Sequence, residues 1–317
     1  MKEMPLVTVI TPTYNRERLL GETIESVLGQ SYPRLEYIVV DDGSTDGTSE
    51  LVERYGDRIR YVRHENVGET RTVNRGLELA RGSIIGVVNS DDPLLPGAVS
   101  AAVERLQADE RLVAVYPDWQ MIDEGSRPIR EMRTFDFRLV DMVRWQVCIP
   151  GPGSFFRAEV ARRIGGRDAA FRFVADFDFW LRAALVGDLA RIPLELATFR
   201  VHGDSATVRH VGTDRAKEHL ALVRKLYACP GLPRELRDVR LEAVSSAYYH
   251  AAYVLGEEGG WRRRMYVVLA LVLAPRKYRG EYRERLRAML PVLLGPTHGP
   301  ARTAYRLARN VRARHGA

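Results

Sequence analysis

Cysteine is scarce in this chain of 317 residues. Cys148 and Cys229 are the only two, and they lie far apart without metal-ligand spacing. This excludes a disulfide framework and a cysteine-based zinc site. We therefore expect a protein of a reducing compartment, the cytoplasm.

Long apolar runs are also missing. The longest, "MYVVLALVLA" at residues 265–274, is about half of the roughly 20 residues that a membrane-spanning helix needs. The N-terminal residues run directly into a strand pattern, without the charged segment and apolar stretch of a signal peptide. We expect neither a membrane-spanning helix nor a signal peptide.

A third absence concerns the first turn after a strand. The first apolar run is followed by "TPTYNR" and not by G-x-G-x-x-G, which excludes a dinucleotide-dependent oxidoreductase. The Gly-rich loop with Lys or Arg that a sugar nucleotidyltransferase would need is missing there too.

Basic residues are concentrated at the C-terminal end. Residues 261–317 hold 14 Lys and Arg against Glu281 and Glu284, whereas the other 260 residues hold 34 basic and 39 acidic side chains. Arg clusters alternate there with short apolar runs. Two interpretations stay open: an element lying on an anionic membrane, or a helical subdomain with solvated arginines. No recognised nucleic-acid-binding motif is present, so we expect no nucleic acid partner.

The first half alternates β-rich runs with segments of helical spacing. The predicted strands are residues 6–11, 35–40, 59–63, 83–88 and 112–117. Such alternation predicts a parallel sheet with helices on both faces. Residues 118–210 are less regular and are expected to extend the same sheet, and the pattern from residue 211 onward is helical.

Polar clusters follow the first four predicted strands: "TPTYNR", "DDGSTDGT", "HENVG" and "NSDDP". Because parallel strands end at one edge of a sheet, where ligands bind, these clusters predict a single site. Asp91 and Asp92 suit Mn²⁺ or Mg²⁺, which takes few protein carboxylates when phosphates complete its shell. The alternative for them is a capped turn before Pro93. Asp42 either caps a helix starting near Asp46 or accepts a hydrogen bond from a uracil or thymine ring.

The ordered segments "VTVITPTYNR", "EYIVVDDGSTDGT", "NVGETRTVNRGLELARGSIIGVVNSDDPLLPGA" and "FVADFDFWLRAA" resemble the family 2 glycosyltransferases. "LATFRVHGDSAT" resembles the bacterial members that build surface polysaccharides. The resemblance covers about residues 5–208. It implies an α/β GT-A (Rossmann-like) fold, with a mostly parallel sheet flanked by helices. The helical pattern from residue 211 onward adds a helical C-terminal appendage.

The resemblance, together with the charge and the helical pattern of the C-terminal part, divides the chain into a catalytic domain and a basic helical region. The expected ranges are 1–210 for the GT-A domain, with a nucleotide-sugar-binding half at 1–117 and an acceptor-binding half at 118–210, and 211–317 for the helical region.

Site residues follow from the motif positions and from the residue types beside them. Those expected to bind the nucleotide sugar are Pro12, Thr13, Tyr14, Asn15, Asp42, Arg71, Asn89 and Asp91. Those expected to hold Mn²⁺ or Mg²⁺ are Asp91, Asp92 and His202, although His202 could instead contact the diphosphate or be a polar loop residue. Arg200 and Ser205, in the same segment, are weaker candidates for a role at the site. Asn89 departs from the family pattern, because an Asp often stands there.

Asp176 is the expected catalytic base, since it falls at the family's acidic motif, which reads Ala175-Asp176 here. The alternative is a cap for a helix beginning at Phe177. "PGPGS" at 150–154 either shapes the acceptor pocket or is a tight turn. Trp119 and Trp145 either stack on sugars or belong to the core.

These expectations combine into one function. The resemblance implies inverting transfer of a sugar from a nucleotide diphosphate sugar, UDP- or dTDP-linked, to a hydroxyl of a glycan or lipid-linked acceptor in surface polysaccharide biosynthesis. The expected mechanism is metal-assisted single displacement in the cytoplasm or at the inner face of the cytoplasmic membrane. The alternatives are a non-catalytic nucleotide-sugar-binding protein and a polyprenyl-phosphate sugar synthase.

Overall fold

The computed structural model describes residues 4–203, 212–256 and 259–275. The chain forms two compact units. Unit 1 consists of Met1–Leu139 and Cys148–Ser205, and unit 2 of Val140–Val147 and Ala206–Ala317. The predicted boundary between residues 210 and 211 lies outside the described residues, so it stays a prediction. The assignment of residues 140–147 to unit 2 is not foreseen by the sequence.

Unit 1 is built on one eight-stranded sheet. Its strands are β1 Val7–Thr13, β2 Leu35–Asp41, β3 Arg60–Arg63, β4 Ile84–Val87, β5 Leu112–Ile122, β6 Pro128–Met132, β7 Phe155–Arg157 and β8 Asp188–Arg200. The order is β3-β2-β1-β4-β7-β5-β6, and β8 pairs with β5. All seven residues of β1 are buried, as expected for a strand between two parallel neighbours with both faces covered.

The mostly parallel sheet flanked by helices confirms the predicted fold class. The predicted strand at 112–117 is present as part of β5 and runs in the same direction as β4. The sequence did not foresee β7, which lies between β4 and β5 and pairs antiparallel with both. Gly86 permits this insertion, since a Cβ there would stand 2.4 Å from the Phe155 ring. Residues 118–210 contribute β6, β7 and β8 to the same sheet.

The helices of the described residues are short to medium in length. In chain order they are α1 Leu20–Leu28, α2 Thr48–Glu53, α3 Glu69–Leu79, α4 Ala98–Ala108, α5 Leu139–Trp145, α6 Ala158–Ile164, α7 Ala175–Ala184, α8 Thr213–Ala228, α9 Arg234–Asp238, α10 Arg240–Val254 and α11 Gly260–Leu273. Within that part of the chain, none has the length and apolar composition needed to cross a bilayer.

Candidate functional site

The loops after β1 and β2 are tied together by Asn15, which has a left-handed backbone with φ of 51°. The Asn15 N–H donates to the Ser44 hydroxyl at 2.9 Å, and its side-chain oxygen accepts from the Thr45 N–H at 2.8 Å. Asp41 is fully buried and accepts from the Ser44 hydroxyl at 2.6 Å and from the Tyr61 hydroxyl at 2.6 Å. These hydrogen bonds fix the conformation of the chain at the ends of β1 and β2.

Asp42 connects the loop after β2 with the loop after β3. Its two carboxylate oxygens accept from the Val67 N–H at 2.7 Å and the Gly68 N–H at 2.9 Å. The helix-cap alternative for Asp42 is wrong, because α2 begins at Thr48 and its first turn is bonded by Asp46. The sequence "DGSTDGT" contains two aspartates that could bond the start of α2, and in the structure Asp46 does so.

Residues 12–15 extend from the last part of β1. Pro12 and Thr13 are the final residues of β1, two residues beyond the predicted strand, so they do not belong to the following loop. Thr13 is buried, and its hydroxyl has no hydrogen-bond partner within the described residues. Tyr14 is 45% exposed and presents its ring at the strand end. Arg71 is also exposed and lies in the first turn of α3.

The loop after β4 meets the end of β8. The Asp91 carboxylate and the His202 Nε2 atom lie 2.8 Å apart, although 111 residues separate them in the sequence. The His202 side chain is 5% exposed and the Asp91 side chain 16%. Two residues that the sequence predicts as metal ligands are thus in direct contact.

Asp92, the next residue, is held by other protein groups. One carboxylate oxygen accepts from the Arg200 N–H at 2.8 Å and the other from the Asn89 amide nitrogen at 3.0 Å. Burial, and then the charge of Asp91, raise the pKa of Asp92 above its ordinary value. Both oxygens of Asp92 already have protein donors. Asn89 therefore donates a hydrogen bond that an aspartate at the same position could not donate when ionised.

Arg200 is the residue whose importance sequence reasoning missed. Its side chain is fully buried, and its Nη2 atom lies 2.6 Å from a carboxylate oxygen of Glu22 in α1. The same guanidinium donates to the Asp91 carbonyl at 3.0 Å and to the Asp123 carbonyl at 3.1 Å. Arg200 thus clamps the loop that carries Asp91. A buried Arg at a strand end is the signal, but "TFRVHG" alone does not reveal its burial.

Asp176 lies near the start of α7, which begins at Ala175. The prediction of a helix beginning at Phe177 with Asp176 as its cap is wrong, because Val174 precedes the helix. Asp176 is exposed, whereas its neighbours from Val174 to Leu181 are buried. Its carboxylate accepts from the Phe177 N–H at 2.7 Å.

The helix that carries Asp176 is anchored from its inner face. Asp178 is buried and paired with Arg182 at 2.6 Å. Arg182 also donates to the Ile164 carbonyl at 2.6 Å and the Gly166 carbonyl at 2.8 Å, at the end of α6. Burial, and then the charge of Asp176, raise the pKa of the Cys148 thiol. The helix that carries Asp176 is therefore held firmly on its buried side.

The remaining predicted acceptor residues are less informative. Trp119 packs against Phe199 with 5.6 Å between ring centroids, which favours a core role. The Ser154 hydroxyl donates to the Gly151 carbonyl at 2.6 Å, as in a tight turn. Trp145 lies in unit 2. Ser205 lies outside the described residues.

The donor set fits a divalent cation. No group of three or more His, Cys, Asp or Glu side chains with metal-binding geometry occurs in residues 4–203, 212–256 and 259–275. Asp91 and His202 nevertheless supply one carboxylate and one imidazole in contact. Mg²⁺ and Mn²⁺ commonly take one or two protein ligands when substrate phosphates complete the shell, and histidine is a frequent metal ligand.

Comparison with known proteins decides the family. A family model described as Glycosyl transferase family 2 matches residues 8–165. The chain belongs to this family. An uncharacterized glycosyltransferase of Rickettsia typhi is 28% identical over 225 residues, which are 69% of this chain and 70% of that protein. The predicted family is thereby confirmed, and this family 2 member is a glycosyltransferase.

Solved structures of low sequence identity confirm the GT-A fold. S. aureus TarS in complex with UDP-GlcNAc matches with a TM-score of 0.65 at 17% identity, over 89% of this chain and 92% of that chain. The mannosyltransferase PcManGT of Pyrobaculum calidifontis, in complex with GDP-Man and Mn²⁺, matches with a TM-score of 0.63 at 20% identity, over 98% of this chain and 86% of that chain.

Proposed function

We propose that this family 2 glycosyltransferase transfers a sugar, with inversion, from a nucleotide diphosphate sugar to a hydroxyl group of an acceptor. The observation that carries the proposal is the contact between Asp91 and His202, where the loop after β4 meets the end of β8. Only a folded sheet brings these residues together, and a carboxylate with an imidazole suits a cation that neutralises a diphosphate. TarS and PcManGT, which share the fold, were solved with nucleotide sugars.

The nucleotide is assigned to the ends of β1 and β2. The exposed ring of Tyr14 offers a stacking face for a base, and the unpartnered hydroxyl of buried Thr13 offers a hydrogen bond. Asp42 accepts from two backbone N–H groups, which holds its carboxylate beside the base position. An acceptor there favours the ring N–H of a uracil or thymine, so the proposed donor carries UDP or dTDP. Arg71 is assigned to the diphosphate, since an exposed Arg offers two parallel donors.

Mn²⁺ or Mg²⁺ is assigned to Asp91 and His202. When bound, the cation would neutralise charge on the departing diphosphate. Asp92 is assigned a supporting part, because the Arg200 N–H and Asn89 occupy its oxygens and fix the loop. Asn89 thus serves the site through Asp92, and its departure from the family pattern leaves the Asp91 and His202 contact intact.

Asp176 is assigned as the general base. Its carboxylate is exposed on a helix start that is otherwise buried, so it is open to an incoming hydroxyl. The carboxylate would take the acceptor's proton while the acceptor oxygen forms a bond to the anomeric carbon and the bond to the diphosphate breaks. A single displacement of this kind inverts the anomeric configuration and needs no second carboxylate nucleophile.

For the acceptor, we propose a chemical class and not a particular molecule. A hydroxyl of a glycan or of a lipid-linked glycan, in surface polysaccharide biosynthesis, is the acceptor class that the sequence resemblance implies. Two free cysteines without a partner fit a reducing compartment, so we place the reaction in the cytoplasm or at the inner face of the membrane.

Donor selection tests the proposal directly. The full chain would be heated with UDP, dTDP, GDP, ADP and their sugar conjugates, each with Mn²⁺, Mg²⁺ or a chelator. A bound nucleotide raises the melting temperature by mass action. The expected result is a selective, metal-dependent rise with uridine or thymidine diphosphates, diminished in Asp42→Asn. Release of free sugar and nucleoside diphosphate, measured in parallel, separates a catalyst from a binding protein. No rise with any nucleotide would contradict the donor assignment.

A further inference from the structure

Helix α11 in unit 2 exposes a continuous apolar stripe. Its members are Trp261, Met265, Val268 and Val272, which are 68%, 39%, 46% and 70% exposed. They are spaced by four, three and four residues, which at 3.6 residues per turn places them in one line along the helix. Single exposed apolar residues are common on protein surfaces, but a line of four along a whole helix marks an interaction surface.

The opposite face of α11 is already used for packing. Val267 and Ala270 are buried against Tyr249 and Ala252 of α10. The Ser245 hydroxyl of α10 donates to the Ala270 carbonyl at 2.7 Å. The helix is therefore fixed in unit 2 by one face, and the apolar stripe lies on the other. The stripe is therefore part of the folded structure of unit 2.

The charge beside the stripe identifies what fits it. Exposed Arg262 and Arg264 lie on the two sides of the stripe in the helical projection, and Arg262 lies 5.7 Å from the Trp261 ring. Helix α11 contains three Arg and no acidic residue. An apolar line bordered by arginines, with a Trp at one end, is the composition of a helix that lies at a lipid interface.

We propose that this stripe is a docking surface for an anionic lipid bilayer. The apolar side chains enter the boundary between headgroups and acyl chains, and Arg262 and Arg264 contact the negatively charged headgroups. Residues 261–317 carry a large excess of basic groups, so the charge of the surrounding sequence favours the same occupant. The proposal is independent of the donor chemistry, although it would bring unit 1 to a surface where a lipid-linked acceptor lies.

Vesicle binding by the full chain tests this surface. The probes are vesicles of phosphatidylcholine alone and vesicles with about one-third phosphatidylglycerol, sedimented with the protein at low and at high salt. We expect binding to the anionic vesicles, little binding to the neutral ones, and weakening with salt. Equal binding to both, or none to either, would overturn the proposal.

Matched variants locate the binding face. Val272→Glu places a charge in the stripe, and Leu241→Glu places the same charge at a leucine of α10 that is 60% exposed and off the stripe. We expect at least tenfold weaker vesicle binding for Val272→Glu and no more than a twofold change for Leu241→Glu. The double variant Arg262→Gln/Arg264→Gln should bind about 25-fold more weakly, about fivefold for each Arg, whereas Arg234→Gln/Arg237→Gln in α9 should change binding much less.

Two further readouts exclude other occupants. If Val272→Glu splits a dimer in lipid-free solution, the stripe contacts a second copy and the proposal is wrong. If Val272→Glu lowers the melting temperature without lipid, the stripe is covered by the chain itself and the proposal is wrong as well. Nucleotide-dependent stabilisation should be the same in Val272→Glu and the wild type, so a failure here is distinguishable from a failure of the donor assignment.

Discussion

Two pairs of adjacent aspartates lie at the end of β2 and in the loop after β4, and the protein holds them differently. At the end of β2 both carboxylates bind neighbouring protein groups: Asp41 accepts from Ser44 and from Tyr61 of β3, and Asp42 accepts from two backbone N–H groups. After β4 only one is held in that way. Asp92 binds the Arg200 N–H and Asn89, whereas Asp91 contacts the imidazole of His202.

This difference separates carboxylates that fix the conformation of a loop from carboxylates that are available to bind a ligand. A carboxylate that accepts from backbone N–H groups fixes a loop, and its removal leaves buried donors without partners. Asp42 also lies 3.5 Å from a histidine ring, that of His64, but its side chain is 6% exposed. A carboxylate that holds no backbone N–H in the described residues and is more exposed, as Asp91 is at 16%, is available to a ligand. In the proposed function, the pair at the end of β2 therefore shapes the nucleotide site, where Asp42 is also assigned to the base. The pair after β4 consists of a supporting Asp92 and an available Asp91. Exposed Asp176, the proposed base, is likewise available to a ligand.

The largest effect is expected for Asp176→Asn. Loss of a general base lowers sugar transfer by about 10²- to 10⁴-fold, while donor binding and the melting temperature stay near the wild-type values. Rates of donor turnover and calorimetric donor titrations check this. Asp178→Asn in the same helix is the matched control, because it removes the buried partner of Arg182 and should lower stability instead. Loss of donor binding in Asp176→Asn would make Asp176 a structural residue.

Arg200→Met removes the support of the loop after β4. Loss of the buried guanidinium leaves three backbone carbonyls and Glu22 without this donor, so the free energy of unfolding should fall by about 3 kcal/mol. Urea unfolding followed by circular dichroism measures this. Glu22 is 46% exposed and can be hydrated, so Glu22→Gln should cost far less. Equal losses for the two variants would show that the ion pair, and not the clamp, stabilises the loop.

Asp92→Ala and Asp91→Ala compare how much each of the two adjacent aspartates contributes to the free energy of unfolding. Removing Asp92 leaves the buried Arg200 N–H without its acceptor, and we expect a loss of about 2 kcal/mol in the free energy of unfolding. Removing Asp91, whose carboxylate holds no backbone N–H in the described structure, should cost less than about 1 kcal/mol. Thermal and urea melts of the metal-free protein compare them. A reversed order would refute the division of roles after β4.

Tyr61→Phe gives the smallest expected effect, on the pair after β2. Burial, and then the hydrogen bond to Asp41, raise the pKa of Tyr61 to about 12, so its hydroxyl is a permanent donor at neutral pH. Losing that donor should cost about 1 kcal/mol, because Ser44 still bonds Asp41. Chemical unfolding compares the free energies of unfolding of Tyr61→Phe and Arg200→Met. It tests whether the loop after β2 has more alternative hydrogen bonds than the loop after β4. A cost equal to that of Arg200→Met would contradict this.

Periodicity and turn residues were enough to predict much of unit 1. Strand positions, the shared polar edge and the placing of Asp42 and Asp91 on loops follow from apolar runs that end in polar clusters. The insertion of β7 between β4 and β5 did not follow, because a strand of three residues carries no periodic signal and its pairing depends on space left by Gly86. Nor did the start of α7, where Asp176 resembled a cap.

The roles within the site were harder to foresee than its location. Nothing in "NSDD" distinguishes a carboxylate that turns toward Arg200 from one that turns toward His202, since both partners come from more than 100 residues away. The burial of Arg200 is likewise a property of three converging segments. Sequence patterns locate strand ends. The hydrogen bonds that give Asp91 and Asp92 different roles exist only in the folded chain.

Binding of Mn²⁺ in the presence of UDP is the measurement closest to the central claim. Calorimetric titrations would compare the wild type with Asp91→Asn, His202→Gln and Asp92→Asn. If Asp91 and His202 hold the cation, the first two variants should bind Mn²⁺ at least about tenfold more weakly, and Asp92→Asn should keep an affinity nearer the wild type. Unchanged Mn²⁺ affinity in Asp91→Asn and His202→Gln would contradict the account.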